Sequence, residues 1–311
     1  TFTMESMHAF PAGLQLISLP WDYSAIDPAA LLGVNSSTFK MATYETTRTR
    51  YRLYPDAPAD RFRLGNAYWM NLSTAADLAQ EGVAGTDPVS LVLAPGWNLV
   101  GTPFNRRIDF FLAQVQRQGE TQWYTVQQAL GQGLLGSGLF AYALGGYQSA
   151  GIMAPYIGYW LKVNEPCTLR ISAQTAGLAV NAPAQRTGVV PPADGWLLAL
   201  EASAPGAADR STFCGVSPTA TDRFDNGLDQ AKPPLPVMGA YVAASFADSQ
   251  WGTAEQAVDV RAAGQDTVWN LRVRTNLRGQ PITLRWPDMS GLPRTARPVL
   301  TDLATGQQVF M

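Results

Sequence analysis

The sequence predicts an all-β fold, with two similar β-units in tandem followed by a β-sandwich of immunoglobulin-like or jelly-roll-like kind. Three observations predict it. A glycine, apolar, proline, aromatic segment occurs twice. Each copy is followed by an aromatic run ending in the same pattern, and the last third consists of short alternating runs broken by Gly and Pro.

At the amino terminus, Thr1-Phe2-Thr3-Met4-Glu5-Ser6-Met7 alternates polar and apolar residues ahead of the first glycine turn. Alternation of this kind reads as a strand without an obvious partner, with Phe2 and Met4 on its apolar face. The first repeated segment runs from Gly13 through Leu16-Ile17 to Pro20-Trp21-Asp22, and the second from Gly96 through Leu99-Val100 to Pro103-Phe104-Asn105. Each reads as a short strand that enters after glycine and stops at proline, which has no N–H to continue a central ladder. The matching later strands are Ala67-Tyr68-Trp69-Met70-Asn71-Leu72 and Gly158-Tyr159-Trp160-Leu161-Lys162-Val163.

Between these ends the second copy carries Leu139 to Leu144, then Gly145-Gly146 and Tyr147, the pattern of a tight hairpin. The first copy has Phe39 to Tyr44 and Tyr51 to Tyr54 in the corresponding place, with a more polar turn. Two short helices are expected, one opening at Asp27-Pro28 and one around Tyr124 to Leu130. Residues 175–194, rich in Ala, Pro, Gly and Gln, read as a linker. The expected units are therefore 1–94, 95–174 and, after the linker, 195–311. The last opens with Gly195 to Leu200 and contains Val268 to Arg274 and Ile282 to Trp286, each alternating as a half-buried strand does.

Composition narrows the function classes. Hydrophobic residues at 46% against 15% charged describe a chain that folds by burial. A formal net charge of -2 provides no positive field, which argues against nucleic acid as a partner. No apolar run reaches the roughly 18 residues of a membrane-crossing helix, so membrane insertion is not expected. Since the chain begins at Thr1, either a leader has been removed or the chain belongs to something longer. Two cysteines, Cys167 and Cys214, are candidates for one disulfide.

The Gly-x-x-Leu-[Ile/Val]-x-x-Pro-aromatic openings and the Tyr-Trp closing strands resemble repeats in large secreted or surface proteins of environmental bacteria. The third unit is similar to sandwiches that accompany such repeats and to domains near the carboxy termini of proteins exported by the type IX route. The matching stretches are Phe224 to Asp229, Lys232-Pro233-Pro234, Val258 to Arg261, the strands of Trp269 and Trp286, and Leu300-Thr301-Asp302. This resemblance implies an extracellular or cell-surface location, and the family carries no recognised catalytic set.

The residues themselves suggest little chemistry. The one histidine, His8, has no nucleophile motif around it. Asp222, Asp225 and Asp229, with Asn226 and a loop glycine, form the best calcium candidate, although the ligand spacing is not that of an EF-hand; the competing reading is a solvated Asx turn. Among nine tryptophans, Trp21, Trp123 and Trp251 fall at loop or strand-end positions where an exposed ring would stack on a sugar. The expectation is therefore a non-catalytic structural or assembly module, self-associating into filaments or joining other surface proteins, with no required cofactor. A carbohydrate-binding module recognising polysaccharide is the alternative, and a glycoside-active enzyme using paired carboxylates comes third.

Overall fold

A computed structural model describes residues 7–143, 145–173, 189, 191–248, 254–264 and 267–311 of the chain. The protein is all-β, with only two α-helices of one to two turns among the described residues. Both helices begin where their capping residues dictate. In α1 (Pro28–Leu31) the Asp27 carboxylate accepts the Ala29 and Ala30 N–H groups, and in α2 (Val126–Gly131) Thr125 and Gln128 form a reciprocal capping box.

Four strands form the first sheet: β1 (Gly13–Ser18), β2 (Lys40–Glu45), β3 (Arg50–Leu53) and β4 (Ala67–Leu72), in the order β1-β4-β2-β3. A second sheet has the same order, β5-β8-β6-β7, built from β5 (Gly96–Gly101), β6 (Leu135–Ala143), β7 (Gly146–Ala150) and β8 (Gly158–Val163). Register agrees as well as order. Trp69 lies opposite Leu16 and Ala42, and Trp160 opposite Leu99 and Phe140. The hairpins pair Tyr44 with Tyr51 and Tyr142 with Tyr147. Even the corners match, since Tyr68 Oη accepts the Arg63 N–H at 2.9 Å and Tyr159 Oη accepts the Ala154 N–H at 2.8 Å.

Alternation along β4 explains its unbroken hydrophobic sequence. Tyr68, Met70 and Leu72 point into a core closed by α1, Trp21 and Phe62, whereas Ala67 and Trp69 point the other way. In β8, Tyr159, Leu161 and Val163 face a core shared with α2, and Trp160 faces away. The two outward faces meet. Each unit thus buries both faces of its central strands, a pattern more familiar in parallel sheets.

Packing at this meeting is reciprocal. Trp69 sits edge-on to Tyr142 with ring centroids 4.7 Å apart, and Trp160 edge-on to Tyr44 at 5.1 Å. The second tyrosine of each hairpin joins in, Tyr147 at 6.4 Å from Trp69 and Tyr51 at 6.3 Å from Trp160. The two sheets are therefore related by an approximate two-fold axis. Near it, equivalent residues meet each other: a Cβ added to Gly101 would lie 1.8 Å from the Oγ of Ser18, its counterpart, and one added to Gly158 would lie 2.7 Å from the Cβ of Ala67. Only glycine in one copy permits so close an approach.

Unit boundaries differ from the sequence reading in one respect. The strand Val89–Leu93, on the first-unit side of the boundary expected at 94, pairs with Cys167–Ile171 in the second unit's other sheet, Leu91 opposite Leu169. It leads through Ala94-Pro95 directly into β5, so chain continuity assigns it to the second unit. Of the expected linker, Val189 is described and is buried against the core shared by both repeats.

The third unit is one large sheet in the order β13-β11-β12-β10-β9-β14. Its strands are β9 (Trp196–Ala204), β10 (Ala207–Ser217), β11 (Val242–Ala247), β12 (Glu255–Ala262), β13 (Leu271–Thr275) and β14 (Thr283–Arg285), with Gln230–Ala231 also on β12. Among the described strands of this sheet only β10 and β12 run parallel, and the chain joining them is a long crossover that includes β11. Leu197, Phe213, Val258 and Val260 on one face pack into the core that holds Trp69 and Trp160. Leu198, Leu200, Cys214 and Phe246 on the other face meet the loop around Met289 and Leu292. The expected sandwich is thus closed differently. One face rests on the repeats, and the other is covered by loops and the hairpin β15 (Val299–Thr301) to β16 (Gln308–Phe310).

Truncating either fully buried indole should destabilise the protein by a similar amount. Trp69→Ala and Trp160→Ala are each expected to lose about 3–5 kcal/mol in urea titrations monitored by circular dichroism. At the axis, Gly101→Ser should cost about 1–3 kcal/mol through overpacking, and adding Ser18→Gly should restore most of it. A double variant no better than the single would mean that the two positions do not meet as described.

Candidate functional site

The acidic loop between β10 and β11 is where the sequence places its best ligand set, and its geometry is that of a joint. Asp225 caps the turn before it, accepting the Thr221 N–H and, at 3.1 Å, the Thr221 hydroxyl. Asp229 is buried, with its Oδ2 accepting the Asp225 N–H and its Oδ1 accepting the Val260 N–H on β12, both at 2.7 Å. Asp222 is exposed. Of the three carboxylates in the calcium expectation, two are engaged by backbone donors and point to different partners. Among the described residues no cluster of acidic, Cys or His side chains gathers in ligating geometry.

What the loop holds together is two units. Asn226 packs on the turn after α2, where a Cβ on Gly133 would come within 2.4 Å of its Nδ2, and Gly227 lies against Gly131. Desolvation pushes the Asp229 carboxyl up to about 7, against the pull of its two backbone hydrogen bonds, with Asp259 and Asp225 adding to the rise.

Behind this loop the chain crosses the aromatic seam as an extended strap, Lys232-Pro233-Pro234-Leu235-Pro236. Equivalent tyrosines of the two repeats hold it: Tyr51 Oη donates to the Leu235 carbonyl at 2.7 Å, and Tyr147 Oη donates to the Pro234 carbonyl. Tyr142 Oη reaches the Ala240 carbonyl at 3.3 Å. Proline suits this place, since it presents carbonyl acceptors without adding N–H donors to be satisfied in an apolar seam.

On the outer face of the third sheet lies an apolar groove of about 790 Å³, floored by Trp196, Leu198, Phe246 and Trp269 and walled by Leu300 and Val309 of the terminal hairpin. Trp196 and Trp269 pack edge-on at 6.0 Å, and Trp269 Nε1 donates to the Asp259 carbonyl at 3.1 Å. Asp302 at its rim accepts the Ala304 N–H and the Thr305 hydroxyl, which hold its carboxyl below the usual range and tie it to the hairpin turn. The groove is suited to apolar side chains and offers no pair of free carboxylates.

The aromatic and cysteine expectations change likewise. Trp21 is 6% exposed and belongs to the first unit's core, because Pro20 turns the chain inward rather than releasing it to solvent. Trp123 is half-buried with the Arg170 guanidinium 3.8 Å from its ring centroid, so that one face is already covered. Trp251, Phe2 and Met4 lie outside the described residues. Cys167 and Cys214 form no disulfide; both thiols are free and buried, one in the second unit's core and the other on the outer face of the third sheet. Burial pushes them up to about 11 and about 12 respectively.

Sequence reading missed the buried ion pair of Lys232 with Asp209 at 2.7 Å, both side chains essentially inaccessible. Its signal was present but faint: Lys232 is one of three lysines in the chain and stands between an alternating run and three prolines. No family model matches the chain, and comparison with curated proteins and with solved structures likewise returns no match.

Two measurements test these assignments. Because the folded Asp229 carboxyl binds its proton more tightly than an unfolded aspartate, its contribution is complete below about pH 4 and is lost as pH rises through about 7. Stability should therefore fall over that interval, and Asp229→Asn should flatten the slope. Native protein should also resist thiol reagents at neutral pH and react at both cysteines only after unfolding.

Proposed function

We propose that this chain is a non-catalytic structural or assembly module of a bacterial surface or secreted protein, located outside the cell. The observation that carries the reading is the use made of its charged groups. Asp209 and Lys232 pair internally, Asp259 and Asp248 clasp Arg261, and Glu255 joins Arg272 and Arg274. Asp225 and Asp229 cap backbone. These carboxylates serve as ties, where a hydrolase holds two of them facing a cleft at a fixed separation. Carbohydrate binding has less support, given the burial of Trp21 and the guanidinium over Trp123.

Assembly has a physical basis at the terminal hairpin. Leu303 is 86% and Phe310 76% exposed, and the β13 edge of the third sheet has no neighbour among the described strands. Exposed apolar side chains next to an open strand edge invite a further strand from another copy or another surface protein. The low net charge opposes such association only weakly. Thr1 to Ser6 is a second contributor, since the described chain enters the fold as a strand, His8–Phe10 pairing with Ala76–Leu78, and the preceding residues continue the same alternation.

Light scattering of concentrated full-length protein, with electron microscopy of the same sample, tests the reading. Oligomers or filaments are expected, reduced by Leu303→Asp with Phe310→Asp or by removal of Thr1 to Ser6. A strictly monomeric parent at high concentration would overturn it.

A further inference from the structure

We infer that Lys232 and Asp209 are joined by an intramolecular amide bond, formed autocatalytically in the folded protein. The inference rests on the geometry of the pair and is independent of the assembly reading above. Lys232 Nζ lies 2.7 Å from Asp209 Oδ2 in a site where the two side chains are 2% and 0% exposed. The partners are held from several directions. The Lys232 N–H donates to the Glu255 carbonyl at 2.7 Å, and the Asp209 carboxylate accepts the Ala244 N–H at 2.8 Å and the Ser211 N–H at 3.0 Å.

A bulge supplies the third component. Between Leu200 and Ala202 on β9 the register slips so that β10 carries one residue more, Leu200 facing Thr212 and Ala202 facing Asp209. That slip brings consecutive hydroxyls to the amine, Ser211 Oγ at 2.8 Å and Thr212 Oγ1 at 3.1 Å from Nζ. Ser211 Oγ in turn donates to Asp209 Oδ1 at 2.7 Å. The hydroxyl therefore bridges the nitrogen and the carboxyl, the position a proton relay requires.

The reaction needs no co-reactant. The ammonium passes one proton to Oδ2, leaving a neutral amine beside a carboxylic acid. Burial lowers the Lys232 pKa and so eases loss of that proton, although Asp209 and Glu255 oppose the shift. The nitrogen lone pair adds to the Asp209 Cγ, and the proton shed by nitrogen travels through Ser211 Oγ to Oδ1. The resulting neutral tetrahedral carbon carries two hydroxyls; one leaves with the proton of the other as water, and a secondary amide remains. In an interior that excludes solvent the water departs and the reverse hydrolysis is suppressed. Charge disappears from the core in the same event, removing two desolvated ions whose attraction offsets their burial only in part.

Intact-mass spectrometry of the folded full-length chain tests the bond directly. The expected mass is that of the sequence less one water, with faster migration on denaturing gels. Proteolysis should release a branched peptide joining Asp209 to Lys232. Ser211→Ala, which keeps both partners, should form the bond at least about tenfold more slowly when the intact mass of freshly synthesised chains is followed with time. The double variant Asp209→Leu with Lys232→Met, chosen to fill the site without charge, should fold by circular dichroism and show the full mass. Folded parent at full mass overturns the inference, as does a water loss that maps to a succinimide or to any other pair of residues. Bond formation in Ser211→Ala as fast as in the parent would overturn the relay.

Discussion

The exchange of tryptophans between the two repeats is the contact on which the architecture depends. Trp69 and Trp160 are fully buried, and each packs edge-on against the paired tyrosines of the other unit. Edge-to-face rings add some 0.5–1.5 kcal/mol per pair to the area they bury. Leu16 and Leu99, across the strands from the indoles, complete the same core. A unit taken alone would expose this face, so its strands could not remain continuous apolar runs in water.

The third unit depends on the seam in turn. Its inner face contributes Val258 and Val260 to the core around the indoles, and its strap accepts hydrogen bonds from Tyr147 and Tyr51, whose rings belong to or pack on that core. Lys232 fixes the strap at one end, and the Asp225 to Asp229 loop fixes the preceding crossover to the second repeat. The long crossover from β10 to β12 also makes their parallel pairing feasible. Its costs in chain entropy are offset along its length by capping, aromatic and ionic contacts rather than by one large apolar interface.

Strand content was legible in the sequence because its signals are local. Gly13 and Gly96, Pro20 and Pro103, and the Tyr-Trp pairs mark strand starts, stops and centres through backbone constraints that act within a few residues. The helix opening at Asp27-Pro28 was visible for the same reason. Exposure was much less legible. Trp21 read as a loop residue and is core, and Asp229, read as part of a solvated turn or a calcium candidate, is buried and tied to β12, since both depend on residues 40 or more positions away or on another strand. The pairing of Cys167 with Cys214 failed on the same ground: counting thiols says nothing about which face of which sheet each will occupy. The Asp209 to Lys232 contact was hidden because a bulge in β10, unreadable from residue pattern, aims the groups that meet there.

The two-fold seam also sets a stoichiometry. Tyr51 and Tyr147 occupy equivalent positions, so a symmetric surface offers the strap two equivalent ways to lie across it. Their acceptors, however, are the adjacent carbonyls of Leu235 and Pro234, so a single crossing occupies both hydroxyls. A seat with two-fold symmetry therefore holds one occupant, and the strap's direction is chosen by what flanks it: Lys232 at its start, anchored in the third sheet, and Tyr142 receiving Ala240 beyond its end. Symmetry in the repeats is broken by a segment that can be bound only once.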